Sequence, residues 1–168
     1  MSTHSSPAPE AAQDRARARG RLPFWLQRET DCRWLVQAPD KPSLFARSAS
    51  ALFFRIADMS GVRDADRTLL AVQGEDVSSL LTAWLAELDT LRSDRRMLFK
   101  RFAILEMSNT YLKAEACGED FDPARHALHD TCRNAAPARA VAKYVNDRWI
   151  ARLEFDGMVA AAAGSETV

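Results

Sequence analysis

The chain has no net charge: 23 Lys and Arg stand against 23 Asp and Glu over 168 residues. Without a global field of one sign, the balance advertises neither a nucleic-acid nor a membrane partner, although a local patch is compatible with it. Cysteine is also scarce. Cys32, Cys117 and Cys132 are odd in number and irregularly spaced, which reads as free thiols in a reducing compartment and not as a disulfide framework. No apolar run approaches the ~18–20 residues of a membrane span. The N-terminus has no apolar h-region of a secretory signal, so the cytoplasm is the expected location. A Gly-x-Ser-x-Gly elbow and a phosphate-cradling glycine loop are both missing, which leaves nucleophilic and nucleotide chemistry without a motif.

What is present is ordinary globular material, 47% hydrophobic and 27% charged, enough for one domain with a real core. Residues 1–22 carry Ser, Pro, Ala and alternating Arg with almost no large apolar side chain. Such a segment buries too little to offset its ordering entropy, so a disordered tail is expected there. Its run from Arg15 to Arg21 is either a solubilising tail or an RNA-contacting arm, and the first reading is preferred. A domain over 23–157 and a second, flexible tail over 158–168 complete the expected organisation.

Within the domain, Cys32–Ala38 alternates around Trp34 and Val36 as a short strand does. Ser43 is placed to cap a helix in which Leu44, Phe45, Ala49, Leu52, Phe53 and Ile56 recur at helical spacing. Thr68–Val72 reads as a strand closed by Gln73-Gly74. Asp76 caps the clearest helix, with Val77, Leu80, Leu81, Trp84, Leu85, Leu88 and Leu91 on one face. Met97–Glu106 and Thr110–Cys117 read as strands joined at Ser108-Asn109. Val141–Val145 and Trp149–Phe155 flank Asn146-Asp147 as a tight hairpin, with Trp149, Ala151, Leu153 and Phe155 facing the core. The expected fold class is α+β: an antiparallel or mixed sheet with two amphipathic helices packed on one face.

Several of these segments, in this order, resemble the archease family. Ser43-Leu44-Phe45-Ala46 to Ala57-Asp58 occupies the place of the family's first helix. Val72-Gln73-Gly74-Glu75-Asp76 followed by Leu80-Leu81-Thr82-Ala83-Trp84-Leu85-Ala86-Glu87-Leu88 is similar to its Gly-Glu-Asp…Leu-Leu…Trp-Leu-x-Glu-Leu helix. Leu112 to Glu119, then Phe121-Asp122-Pro123-Ala124-Arg125-His126, is similar to the signature in which an Asp-Pro leads to a His. The resemblance covers roughly Arg28 to Asp156.

The resemblance implies an accessory protein, not itself an enzyme, for an RtcB-type RNA ligase that joins RNA ends in tRNA splicing and RNA repair. The implied role is to promote guanylylation of the ligase and its multiple turnover. It also implies a divalent metal, Ca²⁺ favoured, held by Asp31 and Asp156, with the carbonyl of Gly157 filling a further position. Arg125 and His126 are the implied contacts to the partner. This chain departs from the family at its opening motif, which falls on Arg28–Trp34 and keeps only Asp31. The segment Asp130–Ala138 departs as well.

Other readings of the same residues stay open. Asp31 and Asp156 also suit a pair of solvated strand-end acids, with Asp31 paired to Arg28 or Arg33. Cys117, His126, His129 and Cys132 offer zinc-type ligands at an unusual spacing, against buried cysteine and a structural histidine. Lys100 and Lys113 read as surface strand residues. A small metal-dependent enzyme using Asp31, Asp156 and His126 is one rival, and an archease scaffold repurposed for another partner is a second.

Overall fold

The structure, a computed structural model, describes residues 22–129 and 135–156. The basic run Arg15–Arg21, the expected C-terminal tail, Gly157 and Cys132 lie outside the described residues. Among the described residues, seven strands and two long helices follow in the order β1 Leu26–Arg28, β2 Arg33–Ala38, α1 Lys41–Ile56, β3 Asp66–Gln73, α2 Val77–Arg95, β4 Met97–Met107, β5 Tyr111–Asp120, β6 Arg139–Val145 and β7 Arg148–Glu154. The α+β class holds, and the strands divide into two antiparallel sheets, β1-β2-β7-β6 and β3-β5-β4. Neither helix is long and apolar enough to cross a membrane.

Local chemistry sets the helix starts. Asp40, and not Ser43, caps α1: its carboxylate accepts from Ser43 N at 2.8 Å. Pro42 falls in the first turn, where its missing N–H is no loss. Ser43 therefore lies inside the helix as the capped donor, three residues past the true boundary. Asp76 caps α2 as expected and forms a reciprocal box with Ser79, at 2.8 Å from Ser79 N and with Asp76 N donating to Ser79 Oγ at 3.0 Å. The β6–β7 turn is the two-residue loop Asn146-Asp147, both at positive φ (53° and 65°), the primed geometry that matches strand twist.

The core joins all these elements. α1 packs on β2 of the first sheet and β4 of the second, and α2 on β6 and β3. Leu44, Phe45, Leu52, Phe53 and Ile56 from α1 are buried against Leu80, Leu81, Trp84, Leu85 and Leu88 from α2. Trp84 is fully buried, and its indole N–H donates to Phe45 O at 2.9 Å. That bond satisfies the one polar atom of a fully buried tryptophan. Trp149 is half-buried, and Ala151, Leu153 and Phe155 are buried, the face the alternation predicts.

β4 crosses β5 through register shifts at Phe99/Arg101 and Ile104/Glu106. Beside the first shift the backbones approach so closely that a Cβ on Gly118 would stand 1.8 Å from Leu98 O. Only glycine fits without moving the strand. Gly118→Ala should therefore lower stability by ~1–3 kcal/mol, the usual scale for overpacking. An unchanged urea midpoint would show instead that β4 can step aside at no cost.

Candidate functional site

Pairing of β2 with β7 brings the two ends of the domain together. Arg33 faces Glu154, and Phe155 N donates to Cys32 O at 2.7 Å, one residue beyond the ladder. Asp31 lies in the turn before β2, and Asp156 follows Phe155, so both occupy the same end of the adjacent strand pair. The turn is fixed by Glu29 N and Thr30 N donating to Arg33 O and by Cys32 N donating to Thr30 Oγ1. Both aspartates are exposed, and neither side chain makes a hydrogen bond or ion pair among the described residues.

The cation that the fold delivers to this end is Arg55, from the last turn of α1, and not Arg28 or Arg33. Arg55 is buried, donates from Nη1 to the backbone carbonyl of Asp31 at 2.9 Å and lies 4.1 Å from the centroid of the Phe155 ring. Burial pushes its pKa down, and the charge of Asp31 is among those that pull it back up. Neither exposed arginine forms an ion pair with Asp31 among the described residues. Because Arg55 binds the main-chain oxygen, the Asp31 carboxylate is left available. The donor set at this end is thus two unpaired carboxylates, an oxygen-only chemistry that suits a hard divalent cation.

A second polar centre closes the loop after β5. Glu119 is buried near the end of β5 and accepts three bonds: from Arg125 Nη2 at 2.6 Å, from His126 Nε2 at 2.9 Å and from Arg63 N at 2.9 Å. Asp122 N donates to His126 Nδ1 at 2.9 Å, so the imidazole donates through Nε2 and accepts through Nδ1. The Asp122-Pro123 turn is held by its own side chain, which accepts from Ala124 N at 3.0 Å and pairs with Arg125 Nε. Asp58 N donates to Ala127 O and His129 N to Ile56 O, tying this loop to the end of α1. The His126 side chain is 0% exposed and that of Arg125 is 35% exposed. Any partner contact expected of the pair therefore falls to Arg125, while His126 is sealed inside.

The three described members of the zinc-type set, Cys117, His126 and His129, do not form a metal-holding group. Cys117 is buried in β5, His126 is engaged on both ring nitrogens, and His129 is exposed. Among the described residues no group of three or more His, Cys, Asp or Glu side chains could hold a metal. Lys100 is exposed on β4, with Nζ donating to Val62 O at 2.8 Å, and Lys113 is half-buried on β5. Glu119 and Arg55 went unnoticed in the sequence because neither periodicity nor spacing distinguishes a buried charge from a surface one.

Glu119 carries the pH dependence of this centre. The hydrogen bond from Arg125, with those from Arg63 and His126, holds its pKa at about 2 against burial, below its ordinary 4.5. A carboxylate with a depressed folded-state pKa contributes stability that is present above the ordinary value and lost as pH falls through the folded one. The stability gap between the native chain and Glu119→Gln should be full above 4.5 and shrink toward 2. Urea melts of both proteins across that window check it, and parallel curves would refute it.

The Archease protein family model matches residues 25–156 of this chain. The archease of Methanopyrus kandleri is 26% identical over 134 residues, 78% of this chain and 96% of the relative. That of Pyrococcus abyssi is 30% identical over 113 residues, 65% of this chain and 80% of the relative. In three dimensions, the solution structure of Methanobacterium thermoautotrophicum protein 1598 aligns with a TM-score of 0.62 at 21% identity, covering 78% of this chain and 96% of that one. At that identity the likeness establishes the fold alone. The family match, running from the start of the first sheet to the strand-end aspartate, makes this chain a member of the archease family.

Proposed function

We propose that this protein is a cytoplasmic accessory factor, not itself an enzyme, that assists an RtcB-type RNA ligase by promoting its guanylylation and turnover. The observation that carries this reading is the placement of Asp31 and Asp156 at the same end of the β2–β7 pair, within a domain matched to the archease family from residue 25 to residue 156. These two unpaired acids are what remains of the patch that the family resemblance associates with a divalent metal.

In this proposal the carboxylates of Asp31 and Asp156, with the carbonyl of Gly157, hold one divalent cation, Ca²⁺ favoured. When bound, the cation would relieve the repulsion between the two carboxylates and present a positive charge to an anionic group of the partner. The chain's own contribution is positional. The β2–β7 register fixes the two acids to the same strand end, and Arg55 anchors the Asp31 main chain from the core side. Arg125 offers an accessible guanidinium to the partner from a loop made rigid by Glu119.

Cation binding to the folded state alone raises stability by ~2.7 kcal/mol at a hundredfold excess over the dissociation constant. The melting temperature should therefore climb with Ca²⁺, and Asp31→Asn or Asp156→Asn should each abolish the climb while leaving the metal-free melt intact. Catalytic amounts of the protein should also raise multiple-turnover ligation of broken RNA by the ligase from the same organism, with GTP and metal present. A melt indifferent to Ca²⁺, Mg²⁺, Mn²⁺ and Zn²⁺ would remove the metal from the proposal. A ligase unmoved by excess protein would leave a scaffold turned to another partner, which the loss of the opening motif around Asp31 favours.

A further inference from the structure

The outer face of the four-stranded sheet has a composition that the chain as a whole lacks. Trp34, Val36 and Ala38 of β2 and Ala151 and Leu153 of β7 point into the core. Their alternates, with those of β6, form the opposite face. There a shallow groove of about 220 Å³ has an aliphatic floor of Leu35, Val141, Val145 and Ile150. Arg152 is the register partner of both Leu35 and Val141, and Lys143 is the partner of Ile150, so cations are interleaved with the apolar side chains. Glu154, flanked by Arg33 on one side and Arg139 on the other, is the acid among these rows. Arg33, Arg139, Lys143 and Arg152 are all exposed, and none of them is in an ion pair among the described residues. In a chain of zero formal charge, four unpaired cations facing one carboxylate around an aliphatic floor are a local field with a direction.

We propose that this face docks a segment of a partner protein in which acidic and aliphatic side chains alternate. The charge selects the acidic component and the floor selects the aliphatic one. Docking uses side chains and not strand addition at β6, the edge strand of the groove, because the outer edge of β6 is already covered. Ala142 N donates to Ser78 Oγ at 2.9 Å, and Ala140 O accepts from Thr82 Oγ1 at 3.5 Å, so α2 closes the edge that an added strand would need. A single-stranded nucleic acid fits less well. Its bases stack on aromatic rings, and the floor is wholly aliphatic. The inference stands on the sheet face alone and does not require the ligase reading.

The test uses the full chain and a labelled peptide of alternating Leu and Glu about seven residues long, the span of one such strand. Amide shifts in an NMR titration should concentrate at Leu35, Val141, Ile150 and Arg152. Lys143→Glu combined with Arg152→Glu should weaken binding about tenfold or more, with an unchanged thermal melt expected for exposed positions. Arg67→Glu, on the other sheet, should leave binding as it was. The proposal is overturned if the peptide does not bind, or if a Leu–Lys peptide binds equally well. Unchanged binding by the double variant, or equal binding of a uridine oligonucleotide on the same face, would overturn it too.

Discussion

Pairing of β2 with β7 is the constraint on which the rest of the molecule depends. It joins residues 33–38 to residues 149–154, so nearly the whole domain is enclosed as a loop between them. Closing so long a loop costs more entropy than a local hairpin does, though the cost grows only slowly with length. The inward side chains repay it. Trp34, Val36, Ala38, Ala151 and Leu153 are all buried, and Trp34 meets Phe155 edge-on at 5.7 Å. Because side chains alternate with a period of two, this one register also decides which residues are left outside. A slip by one residue would bury Arg152 and expose Leu153.

Three consequences of that register lie far apart in sequence. The aspartates at 31 and 156 come to one end of the molecule. The alternates of the buried residues assemble a basic, aliphatic face. Phe155 is carried over Arg55, whose guanidinium lies against the ring and reaches the Asp31 carbonyl. Arginine suits that role better than lysine, since its planar group stacks on an aromatic face while still donating at its edge. Burial of a cation in this place is tolerated because ring, carbonyl and nearby carboxylate all favour the charge.

The Glu119 centre solves a different problem, that of anchoring an irregular loop whose only strand-like pairing among the described residues is the single bridge between Ala57 and Leu128. Three donors converge on one buried carboxylate from residue 63, residue 125 and residue 126. The Asp-Pro turn before them holds Arg125 and His126 in reach. The sequence signature of an Asp-Pro leading to a His thus has a structural cause: the turn aims the histidine inward at Glu119 and leaves the arginine at the surface.

Much of the scaffold was legible in the sequence because it rests on local rules. The 3.6-residue rhythm from Val77 to Leu91, the Asp76 cap and the Asn146-Asp147 turn each depend on neighbours in the chain, and each stands as expected. The α1 boundary moved to Asp40 because Pro42 permits an earlier start that apolar spacing alone does not reveal. The division into two sheets, the short strand β1 and the neighbourhood of Arg55 were not legible. They depend on which strand meets which across long separations, and periodicity carries no information about partners. By itself the sequence determined the two long helices, the Asn146-Asp147 turn and the inward faces of β2 and β7. Only the tertiary structure decided that Asp31 and Asp156 share an end, that His126 is sealed while Arg125 is not, and that the outward residues of β2, β6 and β7 form one surface, because all three follow from long-range register.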